Sequence, residues 1–178
     1  MKLVILDRDG VINEDSQDFI KSVAEYRPIP GSLEAIARLC QAGYRVCIAS
    51  NQSGLGRKLF DYDAFAAMNL HLQKLLAGLG GRIEAIAFAP EHPDVATHMR
   101  KPNPGMLNDF ARRLGCTLEG VWLIGDSEAD LIAARAAGAK PVLVRTGNGR
   151  ETEASGKVPA ALVFDDLAAA VAALLTAA

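Results

Sequence analysis

The sequence has few of the features that mark membrane or secreted proteins. No run approaches the roughly 18 consecutive apolar residues that a membrane span requires. The charges of Asp7 and Asp9 interrupt the apolar core that a signal peptide would need. The three cysteines, Cys40, Cys47 and Cys116, are odd in number and widely spaced, so they indicate no disulfide framework and are expected to be reduced. We therefore expect a soluble cytoplasmic protein.

Net charge and biased segments are also scarce. The 178 residues include 19 lysines and arginines against 21 aspartates and glutamates, which gives a formal net charge of -2. No broad basic field attracts nucleic acid or an anionic membrane. No repeat or low-complexity linker divides the chain, so we expect one domain over residues 1–178, with a monomer as the default.

What the sequence does have is a regular alternation of apolar runs and amphipathic stretches. Six strands are predicted, at residues 3–6, 45–50, 84–89, 121–124, 141–144 and 161–164. Their continuous apolar character is typical of a parallel sheet covered on both faces. Helices are predicted from Ser32 to near Gly43, from Asp61 or Asp63 to Leu79, from Pro104 to Leu114, from Ser127 to Ala137, and after Asp165 or Asp166.

This alternation predicts an α/β fold with a doubly wound, Rossmann-like and mostly parallel sheet. Residues 13–30, 90–103 and 147–159 show no periodic pattern and are predicted to be irregular. We expect the last of these, which is rich in Gly, Glu and Thr, to be mobile.

Polar residues follow four of the predicted strands, at the edge where doubly wound sheets bind ligands. Asp7 and Asp9 follow the first strand and Ser50 ends the second. Lys101 lies in the loop after the third strand, and Asp126 follows the fourth. Taken singly, each has an ordinary explanation as a turn former, a helix cap (Asp126 before the predicted helix that starts at Ser127) or a surface lysine. Their coincidence at successive strand ends predicts a single site.

The chemistry of that site follows from its carboxylates. Asp7, Asp9 and Asp126 cannot lie close together in ionised form without compensation. A Mg²⁺ ion removes the repulsion and can also bind a substrate phosphate. A carboxylate can attack phosphorus to give an aspartyl-phosphate, while Lys101 and the Ser50 hydroxyl hold the phosphoryl oxygens. The pattern therefore indicates magnesium-dependent phosphoryl chemistry.

Four segments together resemble the motifs of the haloacid-dehalogenase (HAD) superfamily: residues 7–13 (DRDGVIN), 50–54 (SNQSG), 100–106 (RKPNPGM) and 125–130 (GDSEAD). The resemblance implies a HAD fold in which Asp7 is the nucleophile and Asp9 is the general acid and then the general base. It implies that Asp126 binds magnesium beside the Asp7 side chain and the Asp9 backbone carbonyl. Ser50 and Lys101 are implied as the pair that steadies the phosphoryl group.

The resemblance also implies that Asp130 supports the metal shell. An acid at position 9 is what the phosphatases of the superfamily need and a dehalogenase does not. The connections after the first two motifs are too short for a large cap domain.

Within the superfamily, the same segments look most like the D-glycero-D-manno-heptose 1,7-bisphosphate 7-phosphatases, with the histidinol-phosphate phosphatases as close relatives. This implies hydrolysis of a phosphorylated sugar in carbohydrate metabolism, in a pathway such as lipopolysaccharide biosynthesis. It implies substrate contacts from eight residues, of which Arg100 recognises the distal phosphate or the sugar: Asn13, Asp15, Ser16, Asn51, Gln52, Ser53, Arg100 and Ser127.

The chain departs from both families in one loop. Their members often carry a zinc site just before the Arg-Lys motif, built from three cysteines and a histidine. Here the cysteine positions hold Ala89, Thr97 and Met99. A structural zinc site needs about four nitrogen or sulfur ligands, so we expect a loop without zinc.

Two other functions stay open. One is hydrolysis of histidinol phosphate or another small metabolite, and the other is a non-enzymatic phospho-acceptor domain, against which Asp9 argues. Arg57 and Lys58 either attract a second phosphate or form an ordinary solvated helix start. His71 is interpreted as a partly buried structural residue.

Overall fold

Six parallel strands form one sheet in the structure, a computed structural model that describes residues 1–157 and 162–177. The strands are β1 (Leu3–Leu6), β2 (Arg45–Asn51), β3 (Ala85–Ala89), β4 (Trp122–Gly125), β5 (Lys140–Val144) and β6 (Leu162–Phe164). Their order across the sheet is β3-β2-β1-β4-β5-β6, and every neighbouring pair is parallel. This confirms the predicted doubly wound sheet, except that residue 161 of the sixth predicted strand lies outside the described residues.

Seven helices accompany the sheet in the described part of the chain. They are α1 (Ser32–Gln41), α2 (Ser53–Gly56), α3 (Tyr62–Ala77), α4 (Gly105–Leu114), α5 (Glu128–Ala136), α6 (Gly149–Ser155) and α7 (Leu167–Ala177), with a 3-10 turn at Pro93–Val95. All but α2 and α6 lie where the sequence predicts them. The prediction that 147–159 is irregular is wrong for α6, a polar helix in which only Gly149 is buried, so it leaves no apolar period. Residues 158 and 159 of that stretch lie outside the described residues.

The helix starts show which capping predictions hold. Asp61 caps α3, because its carboxylate accepts a hydrogen bond of 2.8 Å from the backbone N–H of Ala64. Ser127, and not Asp126, caps α5. The predicted cap at Ser32 is wrong: Gly31 occupies the N-cap with a φ of +84°, and the Ser32 hydroxyl donates to the Val11 carbonyl at 2.8 Å.

The two faces of the sheet carry separate apolar layers, which explains the continuous apolar runs. Val4 and Leu6 of β1 pack with α1, α3 and α7, whereas Leu3 and Ile5 pack with α4 and α5. In α3 the buried stripe ends at Leu76, and the predicted Leu79 is 39% exposed beyond the helix end. No helix of the described residues is long and apolar enough to cross a bilayer.

The direction of winding reverses between β1 and β4, and this reversal positions the site. From β1 the chain proceeds to β2 and β3 on one side, while β4 leads to β5 and β6 on the other. A crevice forms at such a point beyond the carboxyl ends of the two strands. Asp7 directly follows β1, and Asp126 directly follows β4. The described connections from β1 to β3 contain only α1, α2 and α3, and no cap domain.

Candidate active site

The Asp7 carboxylate lies against the ammonium group of Lys101. The two side chains are 13% and 1% exposed, and their Oδ1 and Nζ atoms are 3.1 Å apart. The Asp7 backbone N–H donates to the Ile124 carbonyl at 2.9 Å, which ties the end of β1 to β4. The Lys101 ammonium also donates to the Ala49 carbonyl at 2.6 Å and to Asp130 Oδ1 at 2.5 Å. Four separate segments therefore meet at Lys101.

Asn51 holds the backbone of Lys101 in place. Its amide nitrogen donates to the Lys101 carbonyl at 2.9 Å, and its amide oxygen accepts from the Lys101 N–H at 3.0 Å. Residue 101 belongs to a long loop, which would otherwise let the ammonium group move. The asparagine at the end of β2 thus delivers the lysine to the site.

Three carboxylates crowd around this one cation. Oxygens of Asp7, Asp126 and Asp130 all lie within 4.8 Å of one another. Burial raises the pKa of Asp7 well above its usual value, and the Asp130 carboxylate adds to that effect against the attraction of Lys101. Burial, followed by Asp130, raises the pKa of Asp126 to about 7. Burial opposes the ammonium form of Lys101, yet Asp130 and Asp7 together raise its pKa above the usual value.

This donor set fits a hard divalent cation. Asp7 and Asp126 offer oxygen ligands in a cluster whose negative charge exceeds its positive charge. Asp130 lies in the same cluster, and its predicted support of the metal shell stays a prediction. Its two oxygens contact the Lys101 ammonium and the Ser127 hydroxyl, so it holds the lysine and completes the cap of α5.

Residues after β5 surround Asp126, and the sequence did not predict this contact. The Asn148 N–H donates to Asp126 Oδ2 at 2.8 Å, and the Thr152 hydroxyl donates to the Asp126 carbonyl at 2.8 Å. The Thr146 hydroxyl donates to the Gly10 carbonyl at 2.6 Å. A Cβ atom on Gly147 would lie 2.2 Å from Asp126 Oδ2, so only glycine allows this approach. Polarity was the only signal in the sequence, and it does not identify a partner.

Three buried polar side chains donate hydrogen bonds to the carboxylate of Asp9. Its carboxylate accepts from Arg8 Nη2 at 3.0 Å, from Asn13 Nδ2 at 2.8 Å and from Gln52 Nε2 at 2.7 Å. Gln52 Nε2 also donates to the Ser50 hydroxyl at 2.8 Å. The amide hydrogens of Gln52 therefore face Asp9 and Ser50, although the resemblance implied a substrate contact for this residue.

A cavity of about 260 Å³ brings these groups together. Of the eight predicted substrate residues, five line it and three do not. The five are Asp15, Ser16, Asn51, Gln52 and Ser127. The other three are Asn13 and Ser53, which are buried, and Arg100, whose Nη1 donates to the Glu91 carbonyl at 3.0 Å.

Phe19 and Asn148 also line this cavity, and neither was predicted. Phe19 has a φ of +63°, which is rare for a bulky residue. Ser50 is 1% exposed and lies behind the cavity wall. His71 packs edge-on against Tyr26 with 5.9 Å between ring centres, in keeping with a structural residue.

The fold and the site define a class of enzyme. A parallel sheet carries two aspartates after β1, a lysine after β3 and a further aspartate after β4. Residues 98–170 match the model of a family described as HAD-hydrolase-like. This chain is therefore a hydrolase of the HAD type.

Relatives that match over nearly the whole chain identify its family within this class. The chain is 50% identical to the D-glycero-beta-D-manno-heptose-1,7-bisphosphate 7-phosphatase of Pseudomonas aeruginosa, with 97% of each chain covered. It is 51% identical to the protein of the same name from Bordetella bronchiseptica, with 98% of each covered. A crystal structure of the D,D-heptose 1,7-bisphosphate phosphatase of B. bronchiseptica with magnesium and phosphate matches with a TM-score of 0.98, 51% identity and 100% of each chain covered. The chain belongs to the family of the heptose-1,7-bisphosphate 7-phosphatases.

The raised pKa of Asp126 predicts how the stability of the metal-free protein depends on pH. Between the usual value of 3.8 and about 7, the folded state retains a proton that the unfolded state has released. The free energy of unfolding therefore falls as the pH rises through that window. Asp126→Asn should raise the free energy of unfolding at pH 8 by roughly 1–3 kcal/mol, because it removes this contribution.

Urea unfolding in EDTA at pH 5 and pH 8 measures the effect. Added Mg²⁺ should stabilise the wild-type protein at pH 8 and leave Asp126→Asn unchanged. A variant that is less stable than wild type at pH 8 without metal contradicts the assignment of Asp126 as a strained carboxylate.

Gly147→Ala should weaken magnesium activation. Gly147 has a φ of +55°, and its new methyl group would meet Asp126 Oδ2 and the Gly10 Cα at 2.2 and 2.6 Å. Gly115→Ala is a matched control, because Gly115 has a φ of +63° and nothing within 4 Å of the added Cβ. Both variants should lose about 1 kcal/mol of stability from backbone strain. Only Gly147→Ala should need at least about tenfold more Mg²⁺ for half-maximal activity, since a displacement of about 1 Å can cost two orders of magnitude. Equal magnesium titrations would show that Gly147 does not shape the Asp126 site.

Proposed function

We propose that this chain removes the 7-phosphate of D-glycero-β-D-manno-heptose 1,7-bisphosphate in a magnesium-dependent reaction through an aspartyl-phosphate at Asp7. One observation carries the proposal: Asp7 lies 3.1 Å from the Lys101 ammonium in a cavity that Asp9 also lines. The names of the relatives support the substrate, and the magnesium and phosphate in the B. bronchiseptica structure support the cofactor.

In the first step an Asp7 oxygen attacks phosphorus. The bond from phosphorus to the C7 oxygen breaks, and Asp9 donates a proton to the departing oxygen. In the second step Asp9 accepts a proton from water while that water attacks phosphorus. The bond to Asp7 then breaks and inorganic phosphate leaves. Asp9 is suited to both steps because it lies two residues after Asp7 and borders the same cavity.

The remaining groups balance the charge. The Lys101 ammonium faces the phosphoryl oxygens, and its buried position strengthens its attraction for them. Asp7, Asp126 and the Asp9 backbone carbonyl are the proposed magnesium ligands. The ion would neutralise the carboxylates and orient the phosphate.

We propose that Arg100 and Arg57 bind the distal phosphate of the substrate. Among the described residues, neither guanidinium forms an ion pair with a carboxylate within 4 Å. Burial lowers the pKa of Arg100, and the like charge of Arg57 adds to that effect against the attraction of Glu91. Two neighbouring cations that form no ion pair within 4 Å suit a phosphate dianion.

Backbone packing brings the two arginines together. The Gly56 N–H donates to the Pro90 carbonyl at 3.0 Å, and a Cβ on Gly56 would lie 2.5 Å from that oxygen. Arg57 follows Gly56 directly, and its guanidinium lies 5.8 Å from the ring centre of Phe19 in the cavity wall. This favours the second-phosphate interpretation of Arg57 over that of a solvated helix start.

The loop that carries Arg100 is held by hydrogen bonds within itself. The Glu91 carboxylate accepts from both the backbone N–H and the hydroxyl of Thr97. The Asn103 amide donates to the Thr97 carbonyl at 3.0 Å, and the Gly105 N–H donates to the His98 carbonyl at 3.0 Å. Thr97 replaces one of the cysteines that the zinc-binding relatives carry, and we propose that this loop folds without zinc. The wider proposal is a cytoplasmic monomer whose product enters carbohydrate metabolism such as lipopolysaccharide biosynthesis.

Phosphate release in Mg²⁺ from heptose 1,7-bisphosphate, compared with histidinol phosphate, tests the substrate. Both anomers of the bisphosphate should be supplied, and phosphorus NMR should show that the C1 phosphate remains. We expect kcat/KM for the β-bisphosphate to exceed that for histidinol phosphate at least about a hundredfold. This corresponds to about 2.7 kcal/mol of selective transition-state binding. A preference for histidinol phosphate would assign the same machinery to the other family. Turnover of neither ester would favour a phospho-acceptor domain.

The distal phosphate subsite makes a separate prediction. Arg100→Ala and Arg57→Ala should each raise KM for the bisphosphate about tenfold or more, because a charge-assisted contact is lost. Their effect on heptose 7-phosphate, which lacks the distal group, should be under about threefold. Arg112→Ala is the control, since Arg112 is an exposed arginine of α4 paired with Asp109. Equal effects of these substitutions on the bisphosphate and on heptose 7-phosphate would show that the two arginines do not bind the distal phosphate.

A further inference from the structure

Arg8 is almost completely buried directly beside the site, although it takes no part in the reaction described above. It is 2% exposed and is the largest fully buried side chain of the described residues. Its guanidinium carbon lies 5.5 Å from the ring centre of Phe65, a member of the apolar core. Burying a guanidinium costs several kcal/mol unless its partners compensate. An arginine at this position therefore needs a reason beyond packing.

The side chain of Arg8 hydrogen-bonds to Asp9, the proposed acid/base residue, and to Gln52. Nε lies 3.2 Å from each Asp9 oxygen, and Nη2 lies 3.0 Å from Asp9 Oδ1. Nη2 also donates to Gln52 Oε1 at 3.1 Å. The guanidinium therefore hydrogen-bonds to the Asp9 carboxylate from the core side. Its Nη2 atom donates both to Asp9 and to Gln52.

Gln52 closes the arrangement. It is 5% exposed, its oxygen accepts from Arg8, and its nitrogen donates to Asp9 Oδ2 and to the Ser50 hydroxyl. This orientation is fixed, because a flipped amide would point N–H groups at the Arg8 N–H and an oxygen at the Asp9 carboxylate. All three polar contacts of the Gln52 side chain therefore lie within the protein.

We propose that Arg8 and Gln52 are positioning residues that fix the Asp9 carboxylate at the one place from which it can exchange a proton with the leaving-group oxygen. The Asp9 side chain is 19% exposed at the cavity, while its other surroundings are these buried donors and Asn13. A carboxylate held by several hydrogen bonds cannot rotate away between the two chemical steps. The proposal rests on the proposed acid/base function of Asp9.

The consequence depends on the leaving group. An alkoxide departing from a sugar phosphate needs the proton of Asp9, whereas p-nitrophenolate leaves without one. The parameter kcat/KM covers only the steps up to formation of the phosphoenzyme, so it excludes the later role of Asp9 as a base. A misplaced Asp9 should therefore lower kcat/KM for the sugar phosphate far more than for p-nitrophenyl phosphate. A general loss of folding or of phosphate binding lowers kcat/KM for the two substrates by the same factor.

Two near-isosteric variants provide the test. Gln52→Glu replaces the N–H donor to Asp9 with an oxygen, and Arg8→Lys keeps the charge but loses the planar fork. Each should lower kcat/KM for heptose bisphosphate about tenfold to a hundredfold, within the range for general acid catalysis, and that for p-nitrophenyl phosphate less than about threefold. The loss should fall on kcat more than on KM. Gln52→Met, an apolar side chain of similar length, serves if either variant does not fold.

Two reference variants separate the possible outcomes. Asp9→Asn should show the same leaving-group dependence in stronger form. Asn51→Ser, which loosens the backbone of Lys101 and does not touch Asp9, should lower kcat/KM for both substrates by the same factor. If Asp9→Asn shows the dependence and the Gln52 and Arg8 variants do not, the positioning role is wrong. If Asp9→Asn itself lacks it, the acid/base role in the proposed function fails.

Discussion

The buried charge cluster at the reversal point of the sheet is the constraint on which the site depends. Oxygens of Asp7, Asp126 and Asp130 lie within 4.8 Å of one another, and Asp7 and Asp130 contact the ammonium group of Lys101. Buried carboxylates close together are unfavourable in the protein alone: burial raises the pKa of Asp7 and Asp126, and the neighbouring Asp130 raises both further. The same imbalance makes the site a strong receptor for a cation. The strain in the metal-free protein and the proposed affinity for magnesium therefore have one origin.

The sequence predicted the groups that do chemistry better than the groups that hold them. Asp7, Asp9 and Asp126 follow apolar strands, so their place at one sheet edge could be inferred from strand-helix alternation alone. Lys101 lies in a long loop without a periodic pattern, so its place at the site was inferred from its position after the third strand and from the resemblance. The holding residues have long-range partners: Thr146 bonds to the carbonyl of Gly10, which is 136 positions away.

Gln52 shows what position-by-position transfer leaves out. The resemblance implies a substrate contact for this residue, and it lines the cavity, but its amide also bonds to Arg8, Asp9 and Ser50. Only the structure reveals these partners within the protein. The helix α6 was missed for a different reason, because a polar helix that buries a single glycine leaves no apolar pattern in the sequence.

The central claim is that Asp7 carries the phosphoryl group during turnover. Rapid quenching during turnover of p-nitrophenyl phosphate by Asp9→Asn, in which the leaving group needs no proton but hydrolysis lacks its base, followed by reduction with labelled borohydride, tests it directly. Borohydride attacks an acyl phosphate and spares a free carboxylate, and peptide mass spectrometry then locates the label. The account predicts substrate-dependent label at Asp7 and at neither Asp126 nor Asp130. Label at another residue, or none while phosphate is released, would contradict it.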